Sequence, residues 1–205
     1  MLIVGLTGSI GMGKSTAAAH LRARGLPVFD ADAEVHRLYA GGKVVERIER
    51  AFPGTTTAEG VDRQRLSAAL IAHPQRIREL EAIVHPMVRE AERTFLRAEA
   101  RRGTQIAVLE IPLLYESGAD RLVDAVIVLS APAEVQRERV LKRGLAPEKL
   151  DALLARQTPD AEKRRLADFV VDTGASIEES QAALDAIIEK LRSRHGAAFA
   201  RHWAA

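Results

Sequence analysis

Five short apolar runs punctuate the chain, and long stretches with helical spacing separate them. Leu2–Leu6, Pro27–Phe29, Gln105–Leu109, Ala125–Leu129 and Phe169–Val171 lack the polar alternation of a strand with one wetted face. Runs of this kind predict parallel strands covered by helices on both sides. The expected fold class is therefore α/β, a doubly wound parallel five-stranded sheet. Ligands of such sheets collect beyond the carboxyl ends of the strands. Here those ends carry a glycine-rich segment, Asp30 and Asp32, Glu110, Ser130 and Asp172.

Two intervals are longer than a crossover needs. From Ala33 to Arg102 only helical patterns occur, interrupted by Gly41-Gly42, by Phe52–Gly60 and by two His-Pro pairs. That excess predicts a helical substrate-binding insert at about 33–102. A second insertion-like interval, about 134–157, carries Arg137, Arg139, Lys142, Arg143 and Arg156. The core of this single unit is then about 1–32, 103–133 and 158–192. Arg139 and Arg143 share a helix face, where like charges cost a few tenths of a kcal/mol unless an anion faces them. Ser176 and Glu179 have capping-box spacing ahead of a helix through Ile187, Ile188 and Leu191. The basic tail from Arg192 is expected to fray and is assigned no role.

Composition narrows the classes. The 205 residues include no cysteine, which excludes disulfides, thiolate catalysis and cysteine zinc sites. A net charge of +2 and 4% aromatic residues give no electrostatic or stacking case for nucleic acid. The first apolar run lacks a basic leader, and no run approaches the roughly 18 apolar residues of a membrane helix. A cytoplasmic protein with no membrane partner, a monomer or small homo-oligomer, is expected.

The first strand leads into Gly8-Ser9-Ile10-Gly11-Met12-Gly13-Lys14-Ser15, and a helical pattern follows. Glycine, four residues, then Gly-Lys-Ser is the phosphate-loop pattern, in which backbone N–H groups converge on an anion at the positive end of a helix. Lys14 would reach the β- and γ-phosphates, and the Ser15 hydroxyl would ligate Mg²⁺. The chain has neither an Asn-Lys-x-Asp element nor an Asp-x-x-Gly switch, so ATP is preferred over GTP. In Val28-Phe29-Asp30-Ala31-Asp32, alternation along the second strand would point both carboxylates the same way, suited to orienting an acceptor hydroxyl. The plainer alternative makes Asp32 the cap of a helix starting at Ala33.

At this point several segments together resemble the dephospho-coenzyme A kinase family. They are Thr7–Thr16, Asp30-Ala31-Asp32 with His36, Gly60–Arg63 with Leu66, and Leu80–Pro86. Ile111–Glu116, Gln136 with Arg139 and Arg143, Gln157 and Ala167–Asp172 complete the series, in order, over about residues 2–175. The resemblance implies transfer of the γ-phosphate of ATP to the ribose 3′-hydroxyl of dephospho-coenzyme A, the last step of coenzyme A synthesis. It implies ATP contacts at Gly8, Gly11, Met12, Gly13, Lys14, Ser15, Thr16 and Arg139. Asp32 would activate or orient the hydroxyl, with Lys14 and the lid residue Arg143 also catalytic. Thr7, Asp30, His85, Leu113 and Glu116 would touch the acceptor, and Glu110 would hold Mg²⁺ through water. His85-Pro86 also reads as a helix start with proline in the first turn, and Glu116 as a solvated loop carboxylate. Ser9 replaces the family's usual second glycine, Met12 a small residue, Asp172-Thr173-Gly174 the usual Asp-Asn, and Glu110 an aspartate. Another small-molecule kinase, a regulatory ATP switch and a nucleic-acid-dependent ATPase remain the rival readings.

Overall fold

A computed structural model describes residues 1–204, which form two compact units, residues 1–29 with 95–204 and residues 30–94. The first unit is built on a five-stranded sheet. Its first strand, β1 (Leu2–Thr7), is buried throughout and runs through the phosphate loop into α1 (Lys14–Ala23). Then come β2 (Val28–Asp30), α2 (Ala31–Tyr39), α3 (Lys43–Ala51), and the two-residue strands β3 (Thr56–Thr57) and β4 (Gly60–Val61). After them follow α4 (Arg63–Ala72), the 25-residue α5 (Ile77–Arg101), β5 (Ile106–Glu110) and β6 (Ala125–Ser130). The chain continues through α6 (Ala133–Lys142), α7 (Pro147–Leu154), α8 (Asp160–Leu166), β7 (Phe169–Asp172) and α9 (Ile177–Arg192).

Strand order is β2-β5-β1-β6-β7, with β1 parallel to both β5 and β6, and β6 parallel to β7. Each expected strand is present within a residue of its sequence-read bounds. Continuous apolar runs were legible because both faces are covered. Leu2, Val4 and Leu6 of β1 pack with Val108, Ile127, Leu129 and the α9 residues Leu184, Ile188 and Leu191. The capping box at Ser176 forms on both sides: Glu179 N–H donates to Ser176 Oγ, and Ser176 N–H donates to the Glu179 carboxylate.

The second unit has its own core of Leu38, Val44, Ile48, Phe52, Leu66 and Val84. The Arg76 guanidinium stacks 4.3 Å above the Phe52 ring. The segment is not purely helical, as the sequence reading had it: Thr56–Thr57 and Gly60–Val61 pair as an antiparallel hairpin. Strands of two residues are too short to leave a periodicity. Glu49 instead gathers the hairpin, accepting from Gly54 N–H, Thr56 N–H and Thr56 Oγ1.

The tail is not frayed. Gly196 to Ala198 lies against residues 1–3, where Asp124 Oδ1 accepts from Ala197 N–H (2.6 Å) and Ala198 N–H (2.8 Å) and Oδ2 accepts from Ile3 N–H (2.8 Å). Phe199–Trp203 forms one π-type turn. Trp203, 1% exposed, donates Nε1–H to Leu122 O, and Arg97 donates to Trp203 O. One large aromatic side chain docks the segment, a cue that its basic composition hid.

Candidate functional site

Residues Gly8 to Gly13 turn the chain from β1 into α1. Gly11 and Gly13 both have φ near +80°, a backbone state in which any other residue is strained, and Gly13 caps α1 with no side chain in the way. The first N–H groups of α1 are thus presented at the positive end of a helix dipole. Lys14 Nζ crosses the loop, donating to Gly8 O (2.6 Å) and Ser9 O (3.2 Å). Ser15 and Thr16 are exposed on the opening turn.

The loop is held from outside by residues of three other elements. Met12 is buried, and its Sδ accepts from Ala131 N–H at 3.1 Å, so the departure from a small residue works as a staple to the end of β6. Gln136 of α6 donates Nε2–H to Ile10 O at 2.7 Å. Thr173 Oγ1 lies 3.2 Å from both Met12 O and Ser130 O, while Arg139 donates to Thr173 O at 2.6 Å. Thr173 therefore ties the turn after β7 to the phosphate loop.

A cavity of about 310 Å³ opens beside the loop. Gly11, Gly13, Thr16, Arg139 and Arg143 line its phosphate-loop side, and Ile177 and Leu184 supply an apolar wall. A polar, cationic end joined to an apolar end suits a ligand with an anionic tail and a flat organic head. The sequence reading placed Arg139 and Arg143 on one helical face, and both line this one cavity. Arg143 itself sits at the cap of α6.

Farther along the sheet edge, Glu110 ends β5 in register with Leu6 and is 6% exposed. Thr7 Oγ1 donates to Pro112 O at 3.1 Å, joining the ends of β1 and β5, and Leu113 is exposed beyond them. Glu116 is not a free loop carboxylate. Its Oε1 accepts from Thr158 N–H at 2.7 Å and lies 3.1 Å from Lys163 Nζ. Desolvation would raise its pKa, but the N–H donors and the Lys163 ammonium outweigh that and hold it below the usual carboxylate range.

In the second unit, Asp30 rather than Asp32 caps the helix. Asp30 Oδ1 accepts from Ala33 N–H at 2.9 Å, and α2 begins at Ala31, so Asp32 lies exposed in the first helical turn. The two carboxylates therefore do not share an extended stretch, because the strand ends as Asp30 turns the chain. Pro86 does not open a helix either; it lies ten residues into α5. The carbonyl it leaves without an i+4 donor belongs to Ala82, which is exposed like Pro86, so water can satisfy it. His85 is exposed beside it. Glu92 of the same helix, 2% exposed, is pushed up to about 7 by burial, opposed by its Arg89 partner 2.9 Å away.

Sequence reasoning missed Thr173, Lys163 and Glu92. Lys163 stands in a run with Arg164 and Arg165, and no local signal marks it as buried.

A phosphate loop leaving the central strand of a five-stranded parallel sheet, with arginines of a following helix lining the adjoining cavity, defines a P-loop kinase fold. The dephospho-CoA kinase family model matches residues 2–179. The dephospho-CoA kinase of Mesorhizobium japonicum is 51% identical over 197 residues, 96% of this chain and all of that one. Among solved structures, the Thermus thermophilus protein TT1252 superposes with a TM-score of 0.79 at 38% identity, covering 93% of this chain and 97% of the other. The dephospho-CoA kinase of Campylobacter jejuni has a TM-score of 0.69 at 26% identity over 93% and 96%. The chain belongs to the dephospho-CoA kinase family.

Proposed function

We propose that the chain transfers the γ-phosphate of ATP to the ribose 3′-hydroxyl of dephospho-coenzyme A, giving coenzyme A and ADP. The observation that carries this reading is the phosphate loop of a dephospho-CoA kinase family member opening onto a cavity lined by Arg139 and Arg143. Phosphoryl transfer passes through a loose transition state, so the protein mainly positions reactants and neutralises charge. The N–H groups of the loop and the Lys14 ammonium hold the β- and γ-phosphates. The flat head of the nucleotide lies along Ile177 and Leu184. Arg139 stays paired with Thr173 O and supports the nucleotide, while Arg143 stabilises charge on the transferring group. Asp32 accepts or orients the hydroxyl proton, and Asp30, His85, Thr7 and Leu113 are the candidate contacts to the acceptor.

The donor set fits Mg²⁺: the Ser15 hydroxyl and the Glu110 carboxylate are hard oxygens, and no group of three or more acidic or histidine side chains forms a metal cage among the described residues. Mg²⁺ bound there with the phosphates would neutralise charge on the β- and γ-oxygens. No helix of the described residues is long and apolar enough to cross a membrane.

The deciding experiment incubates the chain with ATP and dephospho-coenzyme A beside nucleoside monophosphates and shikimate, follows ADP, and maps the new phosphate by mass analysis. Phosphate on the 3′ position with dephospho-coenzyme A supports the reading. ADP release that no acceptor stimulates, or that another acceptor stimulates more, overturns it.

A further inference from the structure

The first unit contains a fully buried lysine to which the kinase reading gives no part. Lys163 of α8 is 0% exposed, and its ammonium forms an ion pair with Glu116 Oε1 at 3.1 Å. Taking an ammonium wholly out of water is costly, and an apolar side chain of similar size would serve stability as well or better. The pair therefore asks for a role beyond holding the fold.

Its surroundings suggest one. Glu116 Oε1, the atom facing Lys163, also accepts the N–H of Thr158 at 2.7 Å. Thr158 lies between α7 and α8, where the chain returns from the arm formed by α6 and α7. Arg137 of α6 is paired with Asp151 of α7 at 3.0 Å, which joins the two helices of that arm. The entry of the arm is fixed by Gln136 on Ile10 O, and its exit by Glu116 on Thr158 N–H. Asp160, one turn before Lys163, accepts from Ser130 Oγ at 2.7 Å, which pins α8 to the end of β6. Gln157 Oε1 and Asp160 Oδ1 are buried acceptors with no hydrogen-bond partner among the described residues.

We propose that Lys163 is a positioning residue for phosphoryl transfer: by fixing the Glu116 carboxylate it anchors Thr158, the return point of the arm that carries Arg139 and Arg143. The consequence for turnover rests on the kinase reading above; the anchor itself does not. Without the anchor, the contacts of Arg139 with Thr173 survive, so ATP still binds. Arg143, between the fixed entry and the loosened exit, loses its defined place.

Lys163→Met and Glu116→Gln test this with two readouts. Hydrogen exchange on the protein alone should show the Thr158 amide opening about tenfold faster or more in Lys163→Met, as for loss of a charged hydrogen-bond partner, with β1 and β6 amides unchanged. Steady-state kinetics should show kcat down about tenfold with the KM for ATP within about threefold. The double variant should be no worse than the poorer single one, because the two residues act as one device. Acceleration of β1 and β6 amides together with Thr158 would make Lys163 a structural residue only and overturn the proposal. So would an unchanged Thr158 amide, or a kcat within about twofold of wild type. Should Lys163→Met fail to fold, Glu116→Gln, which keeps an acceptor for Thr158 but removes the charge, decides by the same readouts. If the wild-type chain gives no ADP dependent on dephospho-coenzyme A, the functional reading has failed, and exchange at Thr158 still decides the anchor.

Discussion

Arg139 and Arg143 stand four residues apart on one cavity wall, yet their bonding separates their roles. Arg139 is already committed to Thr173 O, whereas Arg143 sits at the end of α6 with the cavity before it. Arg143→Ala is expected to lower turnover about 10²–10³-fold, the usual cost of a positioned charge in phosphoryl or acyl transfer. ATP affinity, measured by titration, should change much less. The two aspartates separate in the same way. Since Asp30 caps α2, Asp30→Ala should cost about 1 kcal/mol of stability. Asp32→Asn, on an exposed first-turn position, should leave stability within about 0.5 kcal/mol while turnover falls about 10²–10⁴-fold. Thermal melts beside initial-rate assays check both. A collapse of stability in Asp32→Asn with turnover unchanged per folded molecule would move the base elsewhere.

At the scale of elements, the tail and α5 carry consequences that composition concealed. Trp203 is one of the largest fully buried side chains of the described residues, and the turn it anchors closes over the start of β1 through Asp124. Trp203→Ala should cost about 3–5 kcal/mol, read as a lower melting temperature or denaturant midpoint. In α5, Glu92 has a folded pKa of about 7 against an ordinary 4.5. The folded state therefore binds more protons than the unfolded state between those values, and the sign follows from linkage. Stability from this group is fully present below about 4.5 and is lost as pH rises through about 7. Melting temperatures of Glu92→Gln and wild type, compared from pH 5 to pH 8, should shift steadily in favour of the variant. A constant difference across that range would place Glu92 in an ordinary ionised pair.

Over the whole molecule, the sheet was legible because continuous apolar strands and a glycine-lined loop leave strong local marks. The phosphate end of the site was legible for the same reason, since Gly8 to Thr16 is contiguous in sequence. The remainder depends on residues distant in sequence. Thr173 meets Met12 across 161 positions, and Lys163 meets Glu116 across a whole strand and two helices. Neither leaves a local pattern, because a buried lysine among arginines and a threonine after a strand look like surface residues until the fold covers them. The hairpin at Thr56–Val61 was invisible by shortness, and the helix-start alternative for His85-Pro86 fails because exposure of one helical face excuses a missing donor.

Asp124 gathers residues that lie far apart along the chain. Ile3 belongs to the central strand, and Ala197 and Ala198 lie beyond α9, yet one carboxylate accepts from all three N–H groups. The segment after α9 therefore works as a clasp beneath β1, at the end of that strand opposite the phosphate loop. A variant lacking the chain from Gly196 onward would keep the loop and lose the clasp, which faster exchange of the Ile3 amide would register.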